Sequence, residues 1–157
     1  MKTSALLAIA LAAATAGATT SFAAAPDPET MTVIKPEDLV WKDYPGLPGV
    51  RFAVVFGDPS KPGPYTIRVR FAPGVMSRPH YHPEARYVTV LKGTWWAGTG
   101  DKFDPSATVP VPVGSSAVHQ PKKVHFDGAK DEPVEVQISG IGPSGTIPVK
   151  PGEVVPE

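Results

Sequence analysis

The segment Tyr65–Phe71 reads YTIRVRF, and its apolar residues occupy every second position. The same period of two returns in VEVQIS at Val134–Ser139. Successive side chains of a β-strand point to opposite faces of the sheet. Both segments are therefore predicted to be strands that bury one face in a core and expose the other to solvent.

Short β-rich runs continue along the rest of the chain, each bounded by Gly, Pro or Asp. No stretch shows the apolar spacing of three to four residues that is typical of a long helix, and there is no internal repeat. This pattern predicts one all-β domain, a sandwich, jelly roll or barrel, rather than a βαβ fold. The runs are Arg51–Phe56, Tyr87–Leu91, Thr94–Ala97, Val109–Val113, Ser116–His119 and Val124–Asp127.

The first 23 residues have the pattern of a secretory signal peptide. Lys2 precedes an Ala/Leu-rich apolar run, and small residues surround Phe22, so we expect cleavage after Ala23. The apolar run is shorter than the roughly 20 residues needed to span a bilayer, which disfavours a membrane anchor. We therefore expect a periplasmic or secreted protein with a signal peptide at 1–23, a linker at 24–32, a barrel domain at 33–150 and a tail at 151–157.

The charge balance and the absence of cysteine exclude several classes of protein. Lys and Arg number 15 and Asp and Glu also 15, so there is no basic excess to hold a nucleic acid. Without cysteine the chain has no disulfide framework, thiolate ligand or thiol nucleophile. After removal of the signal peptide we expect no membrane association, and the expected partner is a small molecule.

All four histidines lie between positions 80 and 125, and two of them form the triplet His80-Tyr81-His82. Residues two apart on a strand share a face, so this pair presents two imidazoles to one point, as a metal ion requires. Surface or hydrogen-bonded histidines are the alternative interpretation of a His-x-His triplet.

The surroundings of this triplet resemble the first sequence motif of the cupin superfamily. That motif is Gly, five residues, His-x-His, three residues, Glu, six residues, Gly, and the spacing is met from Gly74 to Gly93. The Glu position, however, holds Arg86. A second motif can be laid on Gly114 to Ala129 with His125 in register, although its Pro-x-Gly turn and its final Asn are absent.

The resemblance implies a cupin-type jelly-roll β-barrel whose interior holds a divalent metal ion (Fe, Zn, Ni, Cu or Mn) on His80, His82 and His125. A guanidinium offers only donors and cannot ligate a metal, so three arrangements stay open. The three imidazoles could hold the ion alone, Glu84 could supply the carboxylate, or Arg86 could repel the ion and leave a polar pocket.

The substrate-binding candidates are Arg86, Glu84, His119 and Trp96, whereas no catalytic residue is indicated. An inward Arg86 suits a small anionic substrate, although pairing with Glu84 or another acid is the more common role of such an arginine. His119 is expected in the pocket or at the surface rather than as a ligand. Trp95 and Trp96 are adjacent, so one of them should face inward.

The leading hypothesis is an exported metalloenzyme of oxygenase, isomerase or hydrolase type. The alternative is a cupin that binds or senses a small molecule without a metal and without catalysis. A homodimer with a mainly structural role is a third possibility, because cupins often associate through strand edges.

Overall fold

A computed structural model describes residue 27 and residues 29–155. The predicted signal peptide, residues 24–26 and 28 of the predicted linker and residues 156–157 of the predicted tail lie outside the described residues. No helix among the described residues is both long and apolar enough to cross a membrane. Two short 3-10 turns, Pro36–Asp38 and Pro105–Ala107, are the helical elements of this part of the chain.

The described residues form eleven strands, and eight of these overlap the eight predicted β-rich segments. The three strands that the sequence pattern did not indicate are only two residues long. The strands are β1 (Lys42–Asp43), β2 (Val50–Phe56), β3 (Gly63–Phe71), β4 (His80–Tyr81), β5 (Arg86–Lys92), β6 (Trp95–Thr99), β7 (Val109–Val111), β8 (Ser116–His119), β9 (His125–Gly128), β10 (Val134–Gly142) and β11 (Ile147–Pro148).

The strands form two antiparallel sheets. The larger sheet has the order β1-β2-β3-β10-β5-β8, and the smaller one has the order β11-β4-β9-β6-β7. Several neighbours in the sheets are far apart in the chain, since β10 pairs with both β3 and β5, and β9 pairs with both β4 and β6. The fold is therefore an all-β jelly roll, as predicted.

The period of two in β3 and β10 sorts their side chains as expected. The inward residues are at most 8% exposed, and they belong to one core with Trp95 of the smaller sheet. On the outer face, Arg70 and Arg68 of β3 pair with Glu135 of β10, with N–O distances of 2.7 and 3.5 Å. The inward residues are Tyr65, Ile67, Val69 and Phe71 of β3 and Val134, Val136 and Ile138 of β10.

Candidate metal centre

Strand pairing in the smaller sheet brings three distant histidines together. His80 of β4 and His125 of β9 are direct cross-strand partners, and His82 follows immediately after β4. The ring centroids of His80 and His125 are 4.4 Å apart, and those of His82 lie 4.9 and 5.0 Å from them. One ligand nitrogen from each ring lies within 4.8 Å of the other two, and all three residues are buried.

Each of these three imidazoles is oriented by a backbone carbonyl. The Nδ1 atoms of His80, His82 and His125 lie 2.7, 2.7 and 3.0 Å from the carbonyl oxygens of residues 78, 145 and 123. A carbonyl oxygen only accepts, so each Nδ1 carries the proton and each Nε2 keeps its lone pair. Metal-ligating histidines almost always donate the proton of their other ring nitrogen in this way.

Two further properties fit a metal ion at this point. The Nε2 atom of His125 is buried and has no hydrogen-bond partner in the described structure. Burial lowers the pKa of His125, and burial together with the charge of Arg86 lowers that of His82. Both rings are therefore neutral at physiological pH, which is the form that binds a metal.

Arg86 is held by protein groups and shares the carbonyl oxygen of Gly145 with Nδ1 of His82. Its Nε donates to Glu84 Oε1 at 3.1 Å, and its Nη2 donates to Gly145 O at 3.0 Å and to Ser144 Oγ. Its side chain is only 8% exposed, and that of Glu84 is 15% exposed. The arginine that replaces the motif glutamate thus forms a buried ion pair with Glu84.

Glu84 also accepts a hydrogen bond from Tyr65 Oη at 3.3 Å. The ring of Tyr65 reaches this position because residue 140 is glycine, where a Cβ would lie 2.8 Å from the hydroxyl oxygen. Burial raises the pKa of Tyr65, so the phenol stays protonated and can donate. Glu84 is not a member of the histidine cluster, and its place in the ion pair disfavours the arrangement in which it ligates the metal.

His119 ends β8 and lies inside the barrel. Its side chain is 10% exposed, and its ring centroid is 3.8 Å from that of His125. Its Nδ1 is buried and makes no hydrogen bond within the described structure. In the other three histidines, Nδ1 donates to a backbone carbonyl. Burial lowers the pKa of His119 to about 4. His119 therefore lines the pocket as a neutral side chain beside His80, His82 and His125.

Asp127 is a site residue that the sequence analysis did not select. It is 5% exposed, and its Oδ2 lies 3.7 Å from Nε2 of His125 and 3.9 Å from Nε2 of His119. These three residues form a second cluster that could hold a metal, and it shares His125 with the first. The sequence could have indicated Asp127 as a site residue, because it follows His125 by two positions in a predicted strand and therefore shares its face.

The structure corrects the choice between the two tryptophans. Trp95 faces inward, is 2% exposed, and donates from Nε1 to Asp127 Oδ1 at 3.3 Å. Trp96 points to the other face of β6, where the ammonium of Lys130 lies 3.6 Å from the centroid of its ring. Trp95, and not Trp96, is the tryptophan that lines the cavity.

The cavity beside the histidines has a volume of about 60 Å³ and two chemically different walls. One wall is aliphatic and aromatic, formed mainly by inward residues of β3 and β10. The other is polar and contributes His80, His82, Arg86, His119 and Asp127. Arg86 also lines a second depression, with Tyr44, Ser144 and Thr146, so it lies between the interior and the surface.

Two antiparallel sheets that enclose a His-x-His pair and a third histidine define a protein of the cupin superfamily. The profile of the family described as "ChrR Cupin-like domain" matches residues 29–126, which is more than half of the chain. The chain belongs to this family, and the cupin resemblance of its sequence motifs is confirmed. No protein of curated function matches it in sequence.

Solved structures share the fold at low sequence identity. A polyketide cyclase from Streptomyces resistomycificus superposes with a TM-score of 0.65 and 15% identity, over 78% of this chain and 88% of that one. A cupin-2 domain protein from Rhodospirillum rubrum gives 0.59 and 19%, over 78% and 81%. A sugar phosphate isomerase of the cupin superfamily from Silicibacter pomeroyi gives 0.54 and 18%, over 71% and 76%. These similarities show a common fold.

Proposed function

We propose that this chain is a metal-dependent cupin enzyme that acts on a small anionic molecule inside the barrel. The observation that carries the proposal is the set of three buried imidazoles at His80, His82 and His125. Each has its Nδ1–H committed to a backbone carbonyl, so three Nε2 lone pairs remain for one divalent cation. Three protein ligands leave coordination positions open, which is typical of catalytic rather than structural metal sites.

A metal bound by these histidines would act as a Lewis acid or as an oxygen-binding centre, which is compatible with oxygenation, isomerisation or hydrolysis. The residues of the chain itself would bind the substrate and exclude water from the site. The aliphatic wall contacts the apolar part of the substrate, and Arg86 attracts its anionic group, with Nε and Nη2 already held by Glu84, Ser144 and Gly145. The small cavity restricts the substrate to a few atoms at the centre.

The fold relatives support an enzymatic role without deciding the reaction. Two of the solved structures described above are a polyketide cyclase and a sugar phosphate isomerase, which are both enzymes that act on small molecules. A cupin barrel therefore supports more than one chemistry, and the reaction of this chain has to be argued from its own site.

The guanidinium of Arg86 also allows one alternative, a cupin that binds or senses a small molecule without a metal, because Nη1 takes no part in the hydrogen bonds to Glu84, Ser144 and Gly145. In that case the positive charge of Arg86 would take the place of the metal as the anion-binding group, and the histidines would serve as polar lining. Metal content discriminates between the two functions, since only the enzyme needs an ion with open coordination positions.

We expect wild-type protein, purified without chelator and without a nickel column, to contain close to one divalent ion per chain. Replacing His82 by alanine removes a ligand and is expected to lower the affinity by more than the roughly 10–100-fold that loss of a supporting residue costs. Elemental analysis and chelator competition measure both. The control is Glu135→Gln, which changes a carboxylate on the outer face of β10, paired there with Arg70, and should retain the ion. A wild type without metal would refute the enzyme proposal.

We also propose that the protein is exported, because the pattern of residues 1–23 is that of a signal peptide. Cell fractionation followed by sequencing of the mature N-terminus should find a periplasmic or secreted chain that begins at Ala24. A cytoplasmic chain that retains Met1 would contradict this proposal.

A further inference from the structure

A hydrogen bond between two side-chain hydroxyls lies in the wall of the interior cavity beside the histidines. Tyr44 Oη and Thr146 Oγ1 are 2.9 Å apart, although the two residues are separated by 102 positions in the chain. Tyr44 lies between β1 and β2, and Thr146 immediately precedes β11. Both residues line the interior cavity, and their hydroxyls are exposed. This contact therefore separates the cavity from solvent.

Two depressions in the surface flank this contact. The Arg86 depression, named after the arginine in its lining, has a volume of about 220 Å³. The His80 depression, which that histidine lines, has a volume of about 240 Å³. Tyr44 and Thr146 line both depressions as well as the interior cavity. Moving the side chain of Tyr44 away from Thr146 would therefore connect all three spaces.

The interior cavity is too small for a substrate while its wall is closed. Its volume of about 60 Å³ holds only a few water molecules, whereas pockets for small organic molecules measure roughly 300–1,000 Å³. The cavity joined to the two depressions reaches this range. A substrate can therefore reach the histidines only after part of the wall has moved.

The contact between Tyr44 and Thr146 is a part of the wall that can open at low cost. Because both hydroxyls are exposed, water takes the place of each partner when the bond breaks, and only the small net contribution of one hydrogen bond is lost. The backbone N–H of Tyr44 donates to Val50 O at 2.9 Å, and its ring packs edge-on against Phe52. The side chain can therefore rotate while the backbone stays in place.

Other parts of the wall are held more firmly. In the loop before β11, the carbonyl oxygen of Gly145 accepts hydrogen bonds from Arg86 and from Nδ1 of His82. A third depression elsewhere on the barrel is separated from the interior by Trp95 and His119, whose largely buried rings have centroids 5.6 Å apart. Opening at either place would disturb a candidate metal ligand or the core.

We propose that Tyr44 is the gate residue of this site. An anionic substrate enters beside Arg86 by displacing the hydroxyl of Tyr44 from Thr146. This inference rests on the proposed function, because it describes how the substrate reaches the same metal centre. Arg86 lines both the interior cavity and the surface depression, and its Nη1 makes no hydrogen bond to the groups that hold Nε and Nη2. The guanidinium therefore attracts an anion along this route.

The gate also determines which substrates fit. Only a few atoms can enter the interior cavity, so the rest of the molecule has to lie in the Arg86 depression. That depression is lined by apolar side chains, among them Pro45 and Phe52, and by the hydroxyls of Ser60 and Thr146. The site therefore selects an elongated anion whose outer part is amphipathic rather than a compact anion.

The test measures how fast pyridine-2,6-dicarboxylate, a small anionic chelator, removes Co²⁺ or Zn²⁺ from the full chain. Tyr44→Phe keeps the ring against Phe52 and removes only the hydroxyl, so extraction is expected to accelerate roughly 2- to 10-fold. Uptake of the ion should accelerate by the same factor and leave the equilibrium affinity unchanged, because Tyr44 is not a ligand. The matched control is Tyr87→Phe on the outer face of β5, where the tyrosine is 59% exposed. It should behave as the wild type.

A second substitution tests whether the bond itself closes the gate. Thr146→Val removes the other hydroxyl and should accelerate extraction as much as Tyr44→Phe does. The double variant should be no faster than either single variant, because both substitutions break the same bond. Independent, multiplying effects of the two substitutions would contradict the gate.

Quenching of Trp95 fluorescence by acrylamide provides a readout that needs no metal. With Trp41 and Trp96 replaced by phenylalanine, Trp95 in the cavity wall is the only tryptophan of the chain, and Tyr44→Phe is expected to increase its quenching constant. Extraction or quenching at the wild-type rate in Tyr44→Phe would overturn the gate but leave the proposed function standing. A wild type that takes up no ion would overturn the proposed function, and quenching alone would then decide whether Tyr44 controls access to the cavity.

Discussion

Replacing Arg86 by methionine is expected to lower the free energy of unfolding by about 3–5 kcal/mol, the range for breaking a buried ion pair on one side. The substitution leaves the carboxylate of Glu84 buried with only Tyr65 Oη as a donor, and it also removes the donors to Ser144 and Gly145. A carboxylate without a charged partner in such an environment is strongly destabilising. Urea unfolding of the metal-free protein measures the effect.

A double variant separates the ion pair from simple loss of packing. When Glu84 is also replaced, as in Arg86→Met with Glu84→Leu, no buried charge is left without a partner, and most of the lost stability is expected to return. The two single substitutions should therefore be strongly non-additive. A cost below about 1 kcal/mol for the single Arg86 variant would be that of an exposed pair and would contradict a buried role.

The period of two in the sequence was sufficient to predict the core of the larger sheet. In β3 and β10, every position predicted to face inward is buried, because a strand that alternates apolar and polar residues has only one orientation that removes its apolar side chains from water. The same rule showed that one of Trp95 and Trp96 faces inward. It could not show which, since that choice depends on the register of β6 against β9, where Trp96 lies opposite Gly128.

The histidine cluster was predicted from motif spacing, but its surroundings were not. The carbonyl that orients His82 belongs to Gly145, 63 residues away, and the hydroxyl that accepts from Arg86 belongs to Ser144, 58 residues away. Contacts between such distant loops leave no periodic pattern in the sequence. Asp127 was missed for a different reason, because the motif directed attention to a carboxylate after the His-x-His pair rather than after His125.

Acidification is expected to destabilise the metal-free protein strongly, beginning near pH 6.5. Burial lowers the pKa values of His82, His119 and His125 below the ordinary 6.5, that of His119 to about 4. Below pH 6.5 the unfolded chain therefore binds protons at these side chains while the folded chain does not. Wherever the unfolded state binds more protons, the free energy of unfolding decreases as the pH is lowered, by up to about 1.4 kcal/mol per pH unit for each histidine.

For His119 alone, with a folded-state pKa of about 4, the loss between pH 6.5 and pH 5 amounts to about 1.5 kcal/mol, and His82 and His125 add to it in the same direction. Urea unfolding at half-unit steps from pH 7.5 to pH 4.5, with chelator present, measures this dependence. His119→Gln removes one of these groups and should reduce the slope of stability against pH below pH 6. A free energy of unfolding that stays constant between pH 7 and pH 5 would show that these imidazoles bind protons equally well in the folded state. That result would contradict the assignment of His82 and His125 as buried, neutral metal ligands.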